Sequence, residues 1–153
     1  MSQLTALYAA IAAASPVFTH NGNGITVYAP ANLKGSYNGG DLPARVIIPV
    51  GPQADGKQGT FVYMGTALKV TWTIPDMLLL QPADQGSGIS DYASNLIAYC
   101  GAYADLIRTL RNPVSQCVLE NLSFAPGIYT WPVGSGQSYA GVLVQLDYAE
   151  YLT

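Results

Sequence analysis

The sequence predicts an α+β fold in which an antiparallel or mixed sheet of about five or six strands carries two helices on one face. Two observations carry this prediction: apolar residues recur at helical spacing in two segments, and the remaining segments form short strands separated by turn residues. The predicted order is helix, three or four strands, helix, two strands. Because no repeat or low-complexity linker divides the 153 residues, we expect one domain spanning residues 1–153.

Charged residues are unusually scarce in this chain. Six Lys and Arg and nine Asp and Glu make up 10% of the sequence, against roughly 25% in an average globular domain. Half of the residues are hydrophobic, yet no apolar run approaches the ~20 residues that a membrane helix needs. A monomer would have difficulty covering its surface with polar groups, which is a first functional clue. The net charge of −3, with scattered cations, disfavours direct nucleic-acid binding.

The first predicted helix spans residues 2–14 and ends at Ser15-Pro16, because proline cannot continue a helix. No Lys or Arg precedes its apolar stretch, so we interpret it as a helix of the mature protein rather than a signal peptide. Its apolar face contains Leu4, Leu7, Tyr8 and Ile11.

Strands are predicted at residues 25–29, 44–50, 61–64 and 67–74. Residues 30–42 between the first two are rich in Gly and Asn and are expected to form an exposed loop. Gly65-Thr66 joins the last two as a hairpin turn, since a type II′ turn prefers Gly first. In the last strand, a polar face of Lys69, Thr71 and Thr73 lies opposite the apolar Leu68, Val70, Trp72 and Ile74.

A further strand is predicted at residues 77–82. It is apolar on both sides, which suits burial on both faces or cover by a neighbouring subunit. A Tyr-rich helix follows, capped by Ser90 and Asp91 and ended by Asn112-Pro113. Two closing strands are predicted at residues 116–124 and 139–151. The intervening residues 125–138 are predicted to be a second long loop with exposed aromatic residues.

Residues capable of catalysis or metal binding are few. His20 is the sole histidine and is expected at the surface of a turn, so we predict no Ser–His–acid triad. Cys100 and Cys117 are interpreted as buried free thiols rather than a disulfide. Asp76 and Asp84 flank an apolar strand, but turn or cap roles fit them better than a carboxylate pair. We therefore expect no enzyme activity, no cofactor and no metal site.

The two long loops, which carry few charges, and the eleven tyrosines match the composition of protein–protein interfaces, whose cores are depleted in charge and enriched in aromatic residues. The loop residues Tyr37, Tyr129 and Trp131 are expected to be exposed, because loops lie on the surface. The tyrosines of the second helix fit a core role equally well. The composition therefore favours an interaction protein.

Four features follow one another along the chain: an N-terminal amphipathic helix, strands that end in Val70-Thr-Trp-Thr-Ile-Pro-Asp-Met-Leu-Leu, a Tyr-rich helix, and closing strands with Tyr139-Ala-Gly-Val-Leu-Val-Gln-Leu. In this order and in length, the whole chain resembles the tail terminator (tail-to-head joining) proteins of long-tailed bacteriophages. The resemblance implies a non-enzymatic virion protein that forms a homohexameric ring in the tail or neck and assembles in the host cytoplasm. Its implied partners are copies of itself, the tail tube protein and the head-side connector or head-completion protein. DNA would only pass through the central channel, and no membrane is involved.

The resemblance supplies no catalytic motif, so contact residues are assigned by their predicted position. For contact with the tail tube or connector, we predict the two loops, with Tyr37, Asn38, Gly39, Ile128, Tyr129 and Trp131. For contact between subunits, we predict the polar strand face and the following apolar strand, with Lys69, Thr71, Thr73, Met77, Leu78 and Leu79.

Two alternative functions remain. One is another phage ring component, either a tail tube subunit or a head–tail adaptor. Two well-marked helices count against the tube subunit, which is dominated by sheet. The other is a small-molecule-binding α+β module in which the Tyr-lined helix roofs a pocket. Such a module would be a monomer or dimer whose melting temperature rises with its ligand.

Overall fold

The computed structural model describes residues 1–49, 59–83, 92–132 and 136–153. In these residues the chain forms a mixed six-stranded sheet, a separate two-stranded ribbon and helices, which confirms the predicted α+β class. The helices are α1 (Leu4–Ala13), α2 (Ala93–Ala104) and α3 (Ile107–Leu110), with a short 3-10 helix at Pro30–Asn32. The strands are β1 (Thr19–His20), β2 (Asn23–Gly24), β3 (Thr26–Tyr28), β4 (Ala44–Ile47), β5 (Gly59–Met64), β6 (Ala67–Pro82), β7 (Cys117–Trp131) and β8 (Gln137–Leu152).

Strand β6 organises the sheet. β8 pairs with almost the whole length of β6 along one edge. β4 and β5 share the other edge of β6: β5 pairs with residues 67–72 of β6, and β4 pairs with residues 76–79 of β6. β7 lies beyond β8, and β3 pairs with β4 in parallel, whereas the other pairs are antiparallel. The β5–β6 hairpin turns at Gly65, whose φ of +67° suits glycine, as the sequence predicts. This hairpin projects beyond the end of β4.

β6 runs without interruption through Pro75. The Pro75 carbonyl accepts a hydrogen bond from the Ile48 N–H at 3.0 Å, on the side of β4. Because the N and C=O of one strand residue point to the same side, the N–H that proline lacks also belongs to that side. The β6–β8 ladder therefore loses no hydrogen bond. The separate strands predicted at residues 67–74 and 77–82 are a single strand.

The loop predicted at residues 125–138 is largely strand, so that prediction is wrong. β7 extends to Trp131 and β8 begins at Gln137. β7 is an edge strand of the sheet, and an edge strand tolerates the Pro126 and Gly127 that suggested a loop. Pairing with β8 along the whole segment overrides the local turn preference of these residues.

The two main helices pack on one face of the sheet, as predicted. The helix-side core joins apolar residues of α1, α2, β6 and β8, among them Leu7, Ile11, Leu96, Tyr99, Ile74, Leu78, Val142, Val144 and Leu146. The predicted second helix is divided, because α2 ends at Ala104 and α3 follows after Asp105 and Leu106. Its predicted caps, Ser90 and Asp91, lie outside the described residues.

A second core lies on the opposite face of the sheet. The segment after the 3-10 helix covers this face, and Tyr37 is only 1% exposed there. The Tyr37 N–H donates to Tyr139 Oη at 3.1 Å, and Tyr139 Oη donates back to the Tyr37 carbonyl at 2.8 Å. The exposed loop expected at residues 30–42 is therefore partly packed on the sheet, although Asn38 and Gly39 remain exposed.

Arg45 of β4 and Asp76 of β6 form a fully buried ion pair. Arg45 Nη2 lies 2.6 Å from Asp76 Oδ2, and Nε donates to both carboxylate oxygens at 3.0 and 2.8 Å. Nη2 also donates to the Ile11 carbonyl at 2.9 Å, and Nη1 donates to the Ala14 carbonyl, both at the end of α1. Tyr103 Oη of α2 donates to the same carboxylate at 2.6 Å. Burial lowers the pKa of Arg45, but the charge of Asp76 and its hydrogen bonds, with smaller contributions from Tyr103 and Tyr99, together raise it more, so the guanidinium stays charged. The turn or cap role predicted for Asp76 is wrong: this pair ties both helices to the sheet.

Candidate functional site

Two of the residues predicted to contact the tube or connector are buried in the second core. Tyr37 is 1% exposed and Trp131 is 8% exposed. Their ring centroids lie 6.4 Å apart, and Trp131 Nε1 donates a hydrogen bond to the Lys34 carbonyl at 2.7 Å. The expectation of exposed aromatic residues is wrong at these two positions. Packing a large aromatic side chain against the adjacent sheet face removes apolar surface from water, which lowers the free energy of the folded state.

The other residues of that predicted contact are more accessible. Asn38, Gly39 and Ile128 are exposed, and Tyr129 is half-buried beside the second core. Next to this exposed turn, Lys34 Nζ lies 2.7 Å from Asp41 Oδ1. The hydrogen bond between them raises the pKa of Lys34 and lowers the pKa of Asp41. Contact of this surface with a neighbouring ring remains a prediction.

Three residues predicted to join subunits are covered by their own chain. Met77, Leu78 and Leu79 are at most 2% exposed, with Leu78 in the helix-side core and the other two in the second core. The interpretation of this strand as buried on both faces is confirmed. Because these side chains are already enclosed, they are not available to a neighbouring subunit.

The other three residues predicted to join subunits form a polar face opposite the helices. Lys69 Nζ lies 2.6 Å from Glu120 Oε1 on β7. Thr73 Oγ1 donates to Asp147 Oδ1 on β8 at 2.8 Å, and Thr71 lies between these two positions. Side chains of three adjacent strands are thus linked across this face. Its role in contact between subunits stays a prediction.

An exposed apolar surface lies on β5, which the sequence predicts as a strand but not as a contact site. We call its last four residues the apolar arm: Phe61, Val62, Tyr63 and Met64 are 67%, 62%, 75% and 55% exposed. From the pairing with β6, Phe61 and Tyr63 share one face and Val62 and Met64 the other. Four successive large apolar residues depart from the alternation of a half-buried strand, and this was the available sequence signal.

A second apolar surface is a groove beside the first helix, which we call the α1 groove. Its volume is about 340 Å³, and it is lined by Thr5, Tyr8, Ala9, Ala29, Pro30, Ala31 and Pro49. None of these residues carries a charge. Tyr8 Oη donates a hydrogen bond to the Ile48 carbonyl at 3.1 Å, which attaches the helix wall of the groove to the end of β4.

No protein-family model matches the chain, and no curated protein matches its sequence. The features of the molecule that bear on function are therefore the element order and three surfaces: the apolar arm, the α1 groove and the polar face around Lys69. None of the helices in the described part of the chain is long and apolar enough to span a membrane.

Side chains with metal-binding chemistry form no cluster in the described part of the chain. The described residues contain no group of three or more His, Cys, Asp or Glu that could hold a metal ion. His20 is half-buried, with Nε2 2.7 Å from Gln81 Oε1. Cys100 and Cys117 are free thiols, as predicted, although only Cys117 is buried and Cys100 is half-buried; burial raises the pKa of both, to about 11 for Cys117. Asp84 lies outside the described residues.

Proposed function

We propose that this chain is a non-enzymatic subunit of a bacteriophage tail, similar to a tail terminator, and that six copies form a ring that caps the tail tube and joins it to the head-side connector. The observation that carries the proposal is the apolar arm, four exposed large apolar residues on a chain with few charges. Contiguous exposed apolar surface of this kind marks an interaction site. The element order, which resembles that family, supplies the type of assembly.

The distribution of positive charge supports passage of DNA through such a ring without tight binding. Arg45, Lys34 and Lys69 are each engaged in an ion pair with a carboxylate. Of the Lys and Arg in the described residues, this leaves Arg108 and Arg111. Tight DNA binding needs many cations that neutralise phosphates and displace counterions. A channel lined by this chain would therefore let DNA slide.

The mass of the purified protein, measured by light scattering over a concentration series, tests the proposal. We expect a species near six times the 16.1 kDa subunit mass, visible as rings by electron microscopy. Incubation with purified tail tubes should place one ring at a tube end. Rings stacked along the tube would favour a tail tube subunit, and binding to isolated connectors alone would favour an adaptor. A 16.1 kDa monomer at every concentration that also leaves the tube ends bare contradicts the proposal.

A small-molecule-binding module is the second candidate, because the volume of the α1 groove falls within the ~300–1,000 Å³ range of ligand pockets. The predicted roof of tyrosines is absent from this groove, since Tyr99 and Tyr103 of α2 pack in the helix-side core. A thermal-shift screen with small apolar compounds tests this candidate. A rise in melting temperature that Ala9→Glu abolishes would support it.

A further inference from the structure

We propose that neighbouring subunits are joined by insertion of the apolar arm of one copy into the α1 groove of the next. The inference rests on the proposed function in one respect, namely that the protein assembles from copies of itself. It specifies the two surfaces that meet. Neither surface contains a residue that the sequence predicts as a subunit contact.

The arm has the chemistry of a docking strand. It carries no charge and no proline, and Phe, Val and Tyr are strong strand formers. Edge strands of natural sheets are usually protected from other chains by charges, prolines or bulges. β7 on the far edge has such protection: Pro126, a register shift at Glu120, and a Leu119 N–H bonded to the Arg111 carbonyl at 2.8 Å. The sheet is therefore closed to partners along β7 and open to them along β5.

The α1 groove matches the arm in size and chemistry. A cavity of about 150 Å³ admits a benzene ring, so a groove of about 340 Å³ has room for the rings of Phe61 and Tyr63. The seven described residues that line it are uncharged, as is the arm. These parts of the two surfaces can therefore meet without leaving an unpaired charge buried between them.

The occupant of the groove is a second copy rather than the arm of the same chain. Six register pairs hold β5 to β6, and β6 is in turn held by β8, so the arm cannot fold back. Its own groove lies beside Pro49, past the end of β4. A projecting patch and a receiving patch on different parts of one chain give a head-to-tail contact. Such contacts close into a ring when the rotation between subunits permits it.

The aromatic side chains of Phe61 and Tyr63 can anchor this contact. A large aromatic side chain buries about 150–250 Å². Because Phe61 and Tyr63 are 67% and 75% exposed, their insertion into the groove removes roughly 200–350 Å² from water. A standard interface buries about 800 Å² on each partner. Phe61 and Tyr63 thus supply about a quarter to nearly half of the required area, as expected for central aromatic anchors.

Complementation between two variants tests the contact. The arm variant carries Phe61→Ser and Tyr63→Ser, and the groove variant carries Ala9→Glu, which places a charge on the exposed side of α1. Each variant should remain a 16.1 kDa monomer at about ten times the concentration that assembles the native chain. An equal mixture should form a dimer of twice that mass and nothing larger, because it contains one usable arm and one usable groove.

The matched control is Ile97→Ser, which removes an exposed apolar side chain of α2 outside both surfaces and should assemble like the native chain. All variants should unfold at the native urea midpoint, since the replaced side chains are exposed. Three outcomes would each overturn the inference: either single-surface variant assembles, the mixture forms no dimer, or the native chain never self-associates. If the arm variant still assembles while native rings cap tail tubes, only the inference fails. If complementation succeeds but no ring caps a tube, only the proposed function fails.

Discussion

At the scale of single residues, the buried pair of Arg45 and Asp76 should dominate stability. Asp76→Asn leaves the Arg45 charge buried without its counter-charge, and breaking a buried pair from one side costs about 3–5 kcal/mol. We expect that loss in the free energy of unfolding measured with urea. Lys69→Met breaks the partly exposed pair with Glu120 and should lower the free energy of unfolding far less, because water screens a pair at the surface. Equal losses in the two variants would contradict this account of the pair.

Trp131 is the second residue whose burial decides a prediction. An exposed Trp131 would make Trp131→Ala a variant that weakens assembly and leaves the fold intact. Because its ring packs near Tyr37 in the second core, the same change should instead lower the free energy of unfolding by about 3–5 kcal/mol. Ile128→Ala, at an exposed position of the same strand, should change the free energy of unfolding by no more than about 0.5 kcal/mol. Native stability in Trp131→Ala would show that its ring lies at the surface.

At the scale of elements, α1 is attached to the sheet at both ends. Arg45 binds the carbonyls at its C-terminal end. At its start, the buried carboxylate of Glu150 accepts hydrogen bonds from Ser2 Oγ at 2.9 Å, from the Gln3 N–H, and from Trp72 Nε1 at 2.7 Å. A negative charge also suits the N-terminal end of the helix dipole. The apolar wall that α1 gives to the groove thus depends on two buried residues of the sheet, Arg45 and Glu150.

Glu150→Gln should loosen the start of α1. The change keeps the size of the side chain but removes its charge, and hydrogen bonds to charged groups are worth about 1.5–3 kcal/mol. We expect a loss of that order in the free energy of unfolding, together with faster proteolysis at the N-terminus. Asp147→Asn on the polar face is the control and should have a smaller effect, since Asp147 is only partly buried. Unchanged cleavage in Glu150→Gln would argue against the attachment.

Elements could be predicted from sequence where local chemistry decides the conformation. The first helix follows from apolar spacing and a terminal proline, and the hairpin turn follows from Gly65. The errors lie where pairing with distant strands overrides local preference. Pro75 and Pro126 suggested breaks, yet each occupies a strand position that tolerates proline. The Gly and Asn residues around Tyr37 suggested an exposed loop, and its partner Tyr139, 102 residues away in the sequence, left no local signal.

At the scale of the whole molecule, composition indicated an interaction surface without locating it. The run of four large apolar residues in the arm was a sequence signal, but its exposure became evident only from the structure, in which the β5–β6 hairpin projects beyond β4. The α1 groove combines residues 5–9, 29–31 and 49, and no local pattern connects these segments. The predicted subunit contacts at Met77, Leu78 and Leu79 are wrong, because an apolar run is equally compatible with burial inside the chain and with burial between chains.

Stability of the whole molecule should fall at alkaline pH. Burial raises the pKa of Tyr99 and Tyr103 well above the usual value, and raises that of Cys117 to about 11. A group whose pKa is raised by folding contributes stability that is complete below its unfolded pKa and is lost as the pH rises past it. Unfolded Cys and Tyr titrate near about 8.5 and 10. Urea unfolding at a series of pH values should therefore show a free energy that declines from about pH 8.5 upward.

Tyr99→Phe tests whether the buried tyrosines cause this decline. The Tyr99 hydroxyl is buried without a hydrogen-bond partner among the described residues, and such a group costs about 1–3 kcal/mol. Replacing it with Phe should raise the free energy of unfolding at neutral pH and move the alkaline decline to higher pH.

Tyr148→Phe is the matched control. It also removes a tyrosine whose pKa is raised by burial, but it loses the hydrogen bond that Tyr148 Oη donates to the Leu110 carbonyl at 2.7 Å. It should therefore be less stable by about 1 kcal/mol at neutral pH. If Tyr99→Phe lowers stability as much as Tyr148→Phe, the Tyr99 hydroxyl has a partner in solution and the pH dependence has another origin.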